Sequence, residues 1–242
     1  MPHSRFSVID YRWLALAGLL LAAQAGALWA LGQPWISTSG RILLWSSNPL
    51  SPETSQQIAD WYSLSHIVHG FLFYALLHFL CPKLPLGARL VLAMGLEIGW
   101  EVAENTPMVI EAYRKQALAI GYAGDSILNS LVDTLMAVLG FLFAARAPAW
   151  VTVAAGIGME VLAALVIRDG LVLNILNFLF TIPFIERWQK GYALTALFPL
   201  LPLLRRRKGS GRTALGGLSP PLPPLRHRWP LSGAAGRRTK RP

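Results

Sequence analysis

The recurrence of long apolar windows constrains this chain more than any other feature. A helix needs about 20 mostly apolar residues to cross a bilayer core of about 30 Å. Such windows run from Trp13 to Leu31, Leu64 to Leu80, Leu86 to Glu104, Ile127 to Ala145 and Trp150 to Ile167. A sixth stretch, 171–185, is short, carries Asn174, Asn177 and Pro183, and either crosses obliquely or lies at the interface. Lipid offers the backbone no hydrogen-bond partners, so spans of this length must be helices. The expected fold is all-α, a polytopic transmembrane helix bundle of five to six spans. Composition agrees, since 54% of the residues are hydrophobic and 14% charged, against about 25% charged in an ordinary soluble domain.

The formal net charge of +10 looks like the footprint of a nucleic-acid binder until it is located. Eleven of the 22 basic residues fall in residues 205–242, which hold no acid. The first 204 residues are left with eleven basic side chains against twelve acidic ones, and no nucleic-acid partner is expected. The chain therefore divides into a transmembrane helical domain, 1–204, and a basic Pro/Arg-rich tail, 205–242, without a periodic apolar face and expected to be disordered. Within the tail, Arg205, Arg206, Arg207 and Lys208 are close enough to the membrane to meet anionic lipid headgroups, at about 1 kcal/mol each. The single Cys81 has no disulfide partner and reads as a packed thiol.

Short cytoplasmic loops are rich in Lys and Arg. Arg5 and Arg12, Lys83 and Arg89, and Arg146 all fall on one side of the predicted spans, whereas 32–63 offers only Arg41 against Glu53 and Asp60. The N-terminus is thus expected in the cytoplasm, although Arg114 and Lys115 run against the rule. A cytoplasmic basic tail requires an even number of crossings, which favours 171–185 as a sixth span. The first span also resembles a signal peptide, with Ala23-Gln24-Ala25 as a cleavage-like site, but its apolar run continues through Leu28, Trp29 and Leu31 as in an uncleaved anchor. Ser51-Pro52-Glu53 has the composition of a helix start, so the second helix is expected to begin outside the membrane.

Charged groups at the centre of a membrane helix cost about 2.5–3.5 kcal/mol and normally face a protein interior or a water-filled cavity. Glu97, Glu101 and Glu104 recur at spacings of four and three, within an arc of about 60° on one helix face. Asp125, Asn129 and Asp133 form a second stripe with Ser126 and Ser130 beside them. His66 and His69 share one helical turn near the start of the second span, while His78 lies towards its other end. Followed through the topology, all three polar stripes fall in the outer half of the bilayer, which points to one shared site open to the periplasm. As boundary residues, Glu104, Asp125 and His66 have a plainer reading, and Asn129 with Ser130 also suits helix-joining hydrogen bonds. Glu160 is a further deep acid with no polar companion at helical spacing, and Gly95, Gly99 and Gly156 suit close helix packing. His3 and His227 read as solvated.

Two imidazoles and several carboxylates suit acid/base chemistry on an envelope or lipid-linked substrate, or a divalent metal such as Zn, Mn or Fe. The spacing matches neither the His-Glu-x-x-His zinc helix nor the paired Glu-x-x-His of di-iron bundles. A transporter or proton-coupled pathway and a non-catalytic accessory protein are the alternatives to an enzyme.

The strings Trp45-Ser-Ser-Asn48-Pro49-Leu50-Ser51, Asp60-Trp61-Tyr62-Ser-Leu-Ser-His66-Ile-Val-His69-Gly70, Glu97-Ile-Gly-Trp100-Glu101-Val-Ala-Glu104-Asn105-Thr106 and Gly124-Asp125-Ser126-Ile-Leu-Asn129-Ser130-Leu-Val-Asp133 resemble a family of uncharacterised bacterial inner-membrane proteins. The resemblance covers about residues 10–190 and implies a multi-pass inner-membrane location, with no activity and no site residue to carry over. A more distant resemblance is to VanZ-like membrane proteins, to whose pattern His69, Glu97, Asp125, Asn129 and Gly140 would answer. Asp133 departs from that pattern, and the Gln and Arg it sets after the Glu are missing.

Overall fold

A computed structural model describes residues 10–197 apart from 117, 120 and 181. His3, Arg5, His227 and the tail at 205–242, with its candidate headgroup contacts, lie outside the described residues. The described chain is all-helical: α1 (Tyr11–Ala30), α2 (Ser63–Leu80), α3 (Leu86–Glu104), α4 (Pro107–Arg114), α5 (Ile127–Ala144), α6 (Ala149–Val166), α7 (Leu171–Leu179) and α8 (Pro183–Leu197). The five apolar windows match α1, α2, α3, α5 and α6 to within two residues at either end. Four of these, α1, α2, α5 and α6, are long and apolar enough to cross a membrane. The 19-residue α3 is as long, but carries Arg89, Glu97, Glu101 and Glu104.

The bundle is apolar outside and polar within. Leu14, Leu19, Leu72, Leu76, Phe79, Val153, Ile157 and Leu165 are exposed, while Gln24, Glu97, Glu101, Asn129, Ser130, Asp133 and Thr134 are buried. In water this would be an inverted protein; against lipid it is the arrangement that places apolar side chains in an apolar solvent. The pairing of α2 with α5 is the most extensive, with α3 against α1, α2 and α5, and α6 against α2. Gln24 shows why α1 belongs to this bundle. Its amide donates to the Ser130 hydroxyl at 2.9 Å and accepts from Thr134 at 3.0 Å, satisfying three polar groups that lipid could not.

Chain direction brings the C-terminal ends of α1, α3 and α6 and the N-terminal ends of α2 and α5 to one end of the bundle. The 31–62 segment covers that end. Carbonyls of Pro34 and Trp35 accept from the first free N–H groups of α5, at 2.8 and 3.1 Å, while Ser126 caps the same helix through Asn129 N–H. At the other end the core is apolar, with Leu77, Leu90, Ala93 and Phe141 at its centre and Cys81 packed against them.

Two expectations need correction. Residues 171–185 are not one oblique span: the helix breaks after Leu179 and restarts at Pro183. The nine-residue α7 reaches only about 13 Å, less than half a bilayer core. Ser51-Pro52-Glu53 starts no helix; 51–58 are turns, and α2 begins at Ser63. Ser55 there has φ 59°, held by Asp60 accepting from its N–H and by Ser126 donating to its carbonyl. Glu160, with no polar companion at helical spacing, finds its partners across the turn: its carboxylate accepts the N–H groups of Leu171 and Val172 at 3.1 and 3.0 Å and so caps α7.

Candidate functional site

The buried cluster is assembled from one turn of α2, two turns of α3 and the first half of α5. His66 and His69, three residues apart, both turn towards Glu97. A carboxylate only accepts, so each imidazole donates from Nδ1: His66 to Oε1 at 2.5 Å and His69 to Oε2 at 2.9 Å. Glu101 Oε1 lies 3.2 Å from the same His66 nitrogen, yet it accepts no hydrogen bond, because the one N–H there points at Glu97. The other Glu101 oxygen accepts from Ser130 Oγ at 2.5 Å. Asp133 faces the far side of the His66 ring, 3.7 Å from Nε2, and is fixed by the Ser63 hydroxyl at 2.7 Å.

Above this cluster lies a half-open cleft of about 920 Å³, counted out to the solvent at its mouth. His66, His69, Asp133, Glu104 and Asp125 line it, with Tyr62, Trp100, Tyr113, Tyr122 and Asp169. Glu97 and Glu101 do not; they sit one layer beneath, behind the two imidazoles. Asp125 is held by Asn105 Nδ2 at 2.6 Å and the Tyr122 hydroxyl at 2.8 Å, and Glu104 by the Tyr113 hydroxyl. Asn129 is not part of the constellation. Its amide donates to the Gln57 carbonyl at 2.8 Å and ties the covering segment to α5.

Of the eight residues singled out from sequence, the structure joins His66, His69, Glu97, Glu101 and Asp133 in one cluster and sets Glu104 and Asp125 in the cleft wall above. Trp100, Tyr113, Tyr122 and Asp169 escaped the sequence reading. Tyr113 had a local signal, because Thr106-Pro107 reads as an N-cap followed by Pro at the first helical position, which is how α4 begins. Asp169 had none: only the docking of the α6–α7 turn shows that it meets Tyr62 from 107 residues away.

Burial raises acids and phenols outside the spans, in the cleft wall and, for Asp60, in the covering segment. Asp125 is pushed up by burial against the opposing bonds from Asn105 and Tyr122, and Asp60 by burial against the N–H groups of Ser55 and Tyr62. The phenols of Tyr62, Tyr113 and Tyr122 are raised by burial and then by the acids beside them. Asp169 is pushed up to about 6 by burial, in spite of the Gly170 N–H and the Tyr62 hydroxyl. A raised carboxyl favours the folded state fully below its unfolded value near 3.8 and loses that contribution as pH rises through about 6. Asp169→Asn should therefore flatten part of the stability profile. Over pH 4 to 7 the wild type is expected to lose about 2–3 kcal/mol more than the variant. Parallel melting curves with equal slopes against pH would contradict this.

The family described as "Protein of unknown function (DUF2585)" matches residues 28–191. A UPF0314 protein of Brucella anthropi is 49% identical over 172 residues, covering 71% of this chain and 87% of that one. UPF0314 proteins of Sphingopyxis alaskensis and Rhizobium etli are 45% and 44% identical, covering 74% and 76% of this chain and 95% and 97% of theirs. None of these three carries a VanZ-like description. No solved structure matches.

Proposed function

The chain belongs to this family of unknown function, and we propose that it is a multi-pass protein of the bacterial inner membrane whose cleft performs acid/base chemistry on an envelope or lipid-linked substrate. The observation that carries this is Glu97. It is completely buried, bonds Nδ1 of both imidazoles and leaves their Nε2 atoms for other partners. A buried carboxylate behind an imidazole fixes its tautomer and its orientation and stabilises the imidazolium that forms when it takes a proton. His66 and His69 are then the catalytic residues at the cleft floor, with Asp133 and Glu104 as carboxyls on the wall. Glu97 and Glu101 are positioning residues.

A one-sided site fits better than a transport path. Beyond the cluster the described bundle is packed mostly by Phe73, Leu90, Ala93, Met94, Ala137, Val138 and Phe141, with Thr134, Tyr74 and Cys81 as the polar side chains beside them. The positive-inside pattern orients the cleft to the periplasm, with α3 as a fifth crossing. Since 171–185 is broken, a cytoplasmic basic tail needs its crossing after residue 182; a reporter fused behind Lys208 that works only in the periplasm would refute that orientation.

The test is genetic and chemical together. In a strain lacking the gene, His69→Gln and Asp133→Asn variants made at wild-type abundance should leave the deletion's envelope-lipid profile uncorrected. Glu97→Gln should slow the restored conversion about 10²–10⁴-fold, the range for lost general acid/base catalysis. Full restoration by all three variants would exclude the reading.

A further inference from the structure

The cluster at and beneath the cleft floor holds more negative charge than its partners can balance. Glu97, Glu101 and Asp133 are all at least nine-tenths buried, and the ion pairs they make are to His66 and His69. Uncompensated buried carboxylates are costly, so such a cluster calls for protons or for a cation. Glu101 distinguishes the two. Ser130 pins one of its oxygens, Gln24 pins Ser130, and the remaining oxygen, Oε1, is buried without a hydrogen-bond donor and directed at the nitrogen where Glu97 already takes the only hydrogen. Two carboxylates and two imidazole nitrogens converge there, and they offer lone pairs to a cation once it displaces the Nδ1 hydrogens.

We infer that His66, His69 and Glu97 form a binding site for one divalent first-row transition-metal ion, with the free Glu101 oxygen beside its His66 ligand, a cofactor that the acid/base reading above does not require. One ligand atom from each of His66, His69 and Glu97 already lies within 4.8 Å of the others, and the individual donor separations to Glu97 and Glu101 run from 2.5 to 3.3 Å. An ion with bonds of about 2.0–2.2 Å holds neighbouring donors about 3.0–3.5 Å apart, so the His66–Glu97 contact must open, and the 2.9 Å His69–Glu97 contact slightly. The surroundings are those of a ligating histidine. When a metal takes Nδ1 of His66, the ring proton sits on Nε2, and Asp133 waits there at 3.7 Å, itself oriented by Ser63. Two imidazoles and a carboxylate without a thiolate suit zinc, iron(II) or manganese. The imidazole rings of His66 and His69 would stand between such an ion and the cleft that they line.

The full-length protein, purified in detergent and stripped with a chelator, is titrated with Zn²⁺ for stoichiometry and with Co²⁺ for its ligand-field absorption. Wild type and His78→Ala, whose histidine lies at the other end of α2, should each bind one equivalent per chain. The isosteric Glu97→Gln should weaken binding at least 100-fold, His69→Ala should do the same, and Asp133→Asn should cost about 10–100-fold through the ligand behind which it stands. Folding of each variant is checked by its melting curve. Metal uptake by wild type no greater than that of a folded Glu97→Gln chain would overturn the site. Loss of restoration in the strain test without metal binding would overturn it too while leaving the acid/base reading standing; metal binding with unimpaired restoration by Glu97→Gln would do the reverse.

Discussion

Gly140→Ala should lower the apparent melting temperature by roughly 6–12 °C, which corresponds to a loss of about 3 kcal/mol for a chain of this size. A Cβ at Gly140 would stand 2.1 Å from the Ile67 carbonyl oxygen, and one at Gly70 2.1 Å from the Ala137 carbonyl oxygen. Both obstacles are backbone and cannot rotate away. Helices α2 and α5 would have to separate by about 1 Å, and overpacking of that kind costs about 1–3 kcal/mol and sometimes more. The same movement draws His66 and Ser63 away from Asp133, so the site should loosen with the fold. Gly95 and Gly99 are the internal control. Nothing lies within 4 Å of a Cβ at either position, and in a helix interior Ala is favoured over Gly by about 1 kcal/mol. Melting in one detergent at one scan rate compares the four variants; a Gly140→Ala protein as stable as Gly95→Ala would show that this interface is not the tight one.

His66→Gln is expected to cost about 3–5 kcal/mol, because removing one member of a buried ion pair leaves its partners uncompensated. Three carboxylates meet this one ring: Glu97 at 2.5 Å, Glu101 at 3.2 Å and Asp133 at 3.7 Å. Replacing the nearest acid as well should return part of the loss. In the double variant His66→Gln/Glu97→Gln, two amides of similar shape can pair, and the coupling between the positions is expected at about 1–3 kcal/mol, with the double variant less damaged than the sum of its parents. Simple additivity of the two single losses would mean that the ring and the carboxylate do not depend on each other. Because the metal inference uses the same residues, the cycle is best run on chelator-stripped protein, so that it reports the ion pairs alone.

The spans were legible because a helix in lipid is a local object. It closes its own hydrogen bonds, and its length is set by the bilayer, so apolar windows gave α1, α2, α3, α5 and α6 nearly to the residue. The same locality explains the failure at 171–185, where apolar content continued but Phe180 adopted an extended backbone. The polar stripe of α3 was legible for a related reason: a 3.6-residue period places Glu97 with Glu101 on a single face whatever the partners are, whereas Asp125 lies before the first turn of α5 and shares no helix face with Asp133. Glycine contacts were not. Gly95, Gly99 and Gly156 look much like Gly70 and Gly140 in sequence, yet only the last two meet a neighbouring backbone at close range.

By itself the sequence determined that this is an all-helical chain with a polar interior, since the cost of exposing backbone or carboxylates to hydrocarbon leaves no other arrangement. It also put the acids and imidazoles of the polar stripes at one end of the expected bundle, where the structure has them. Only the tertiary structure decided which of them meet. Glu97 faces both histidines, Glu101 keeps an oxygen without a donor, Asn129 leaves the cluster to hold the covering segment, Glu160 turns away to cap α7, and Asp169 arrives from a distant turn to complete the wall. Such pairings depend on how helices far apart in the chain are rotated against one another. That rotation is fixed by close contacts such as Gly70 and Gly140 and by bonds such as Gln24 to Ser130, which no single helix contains.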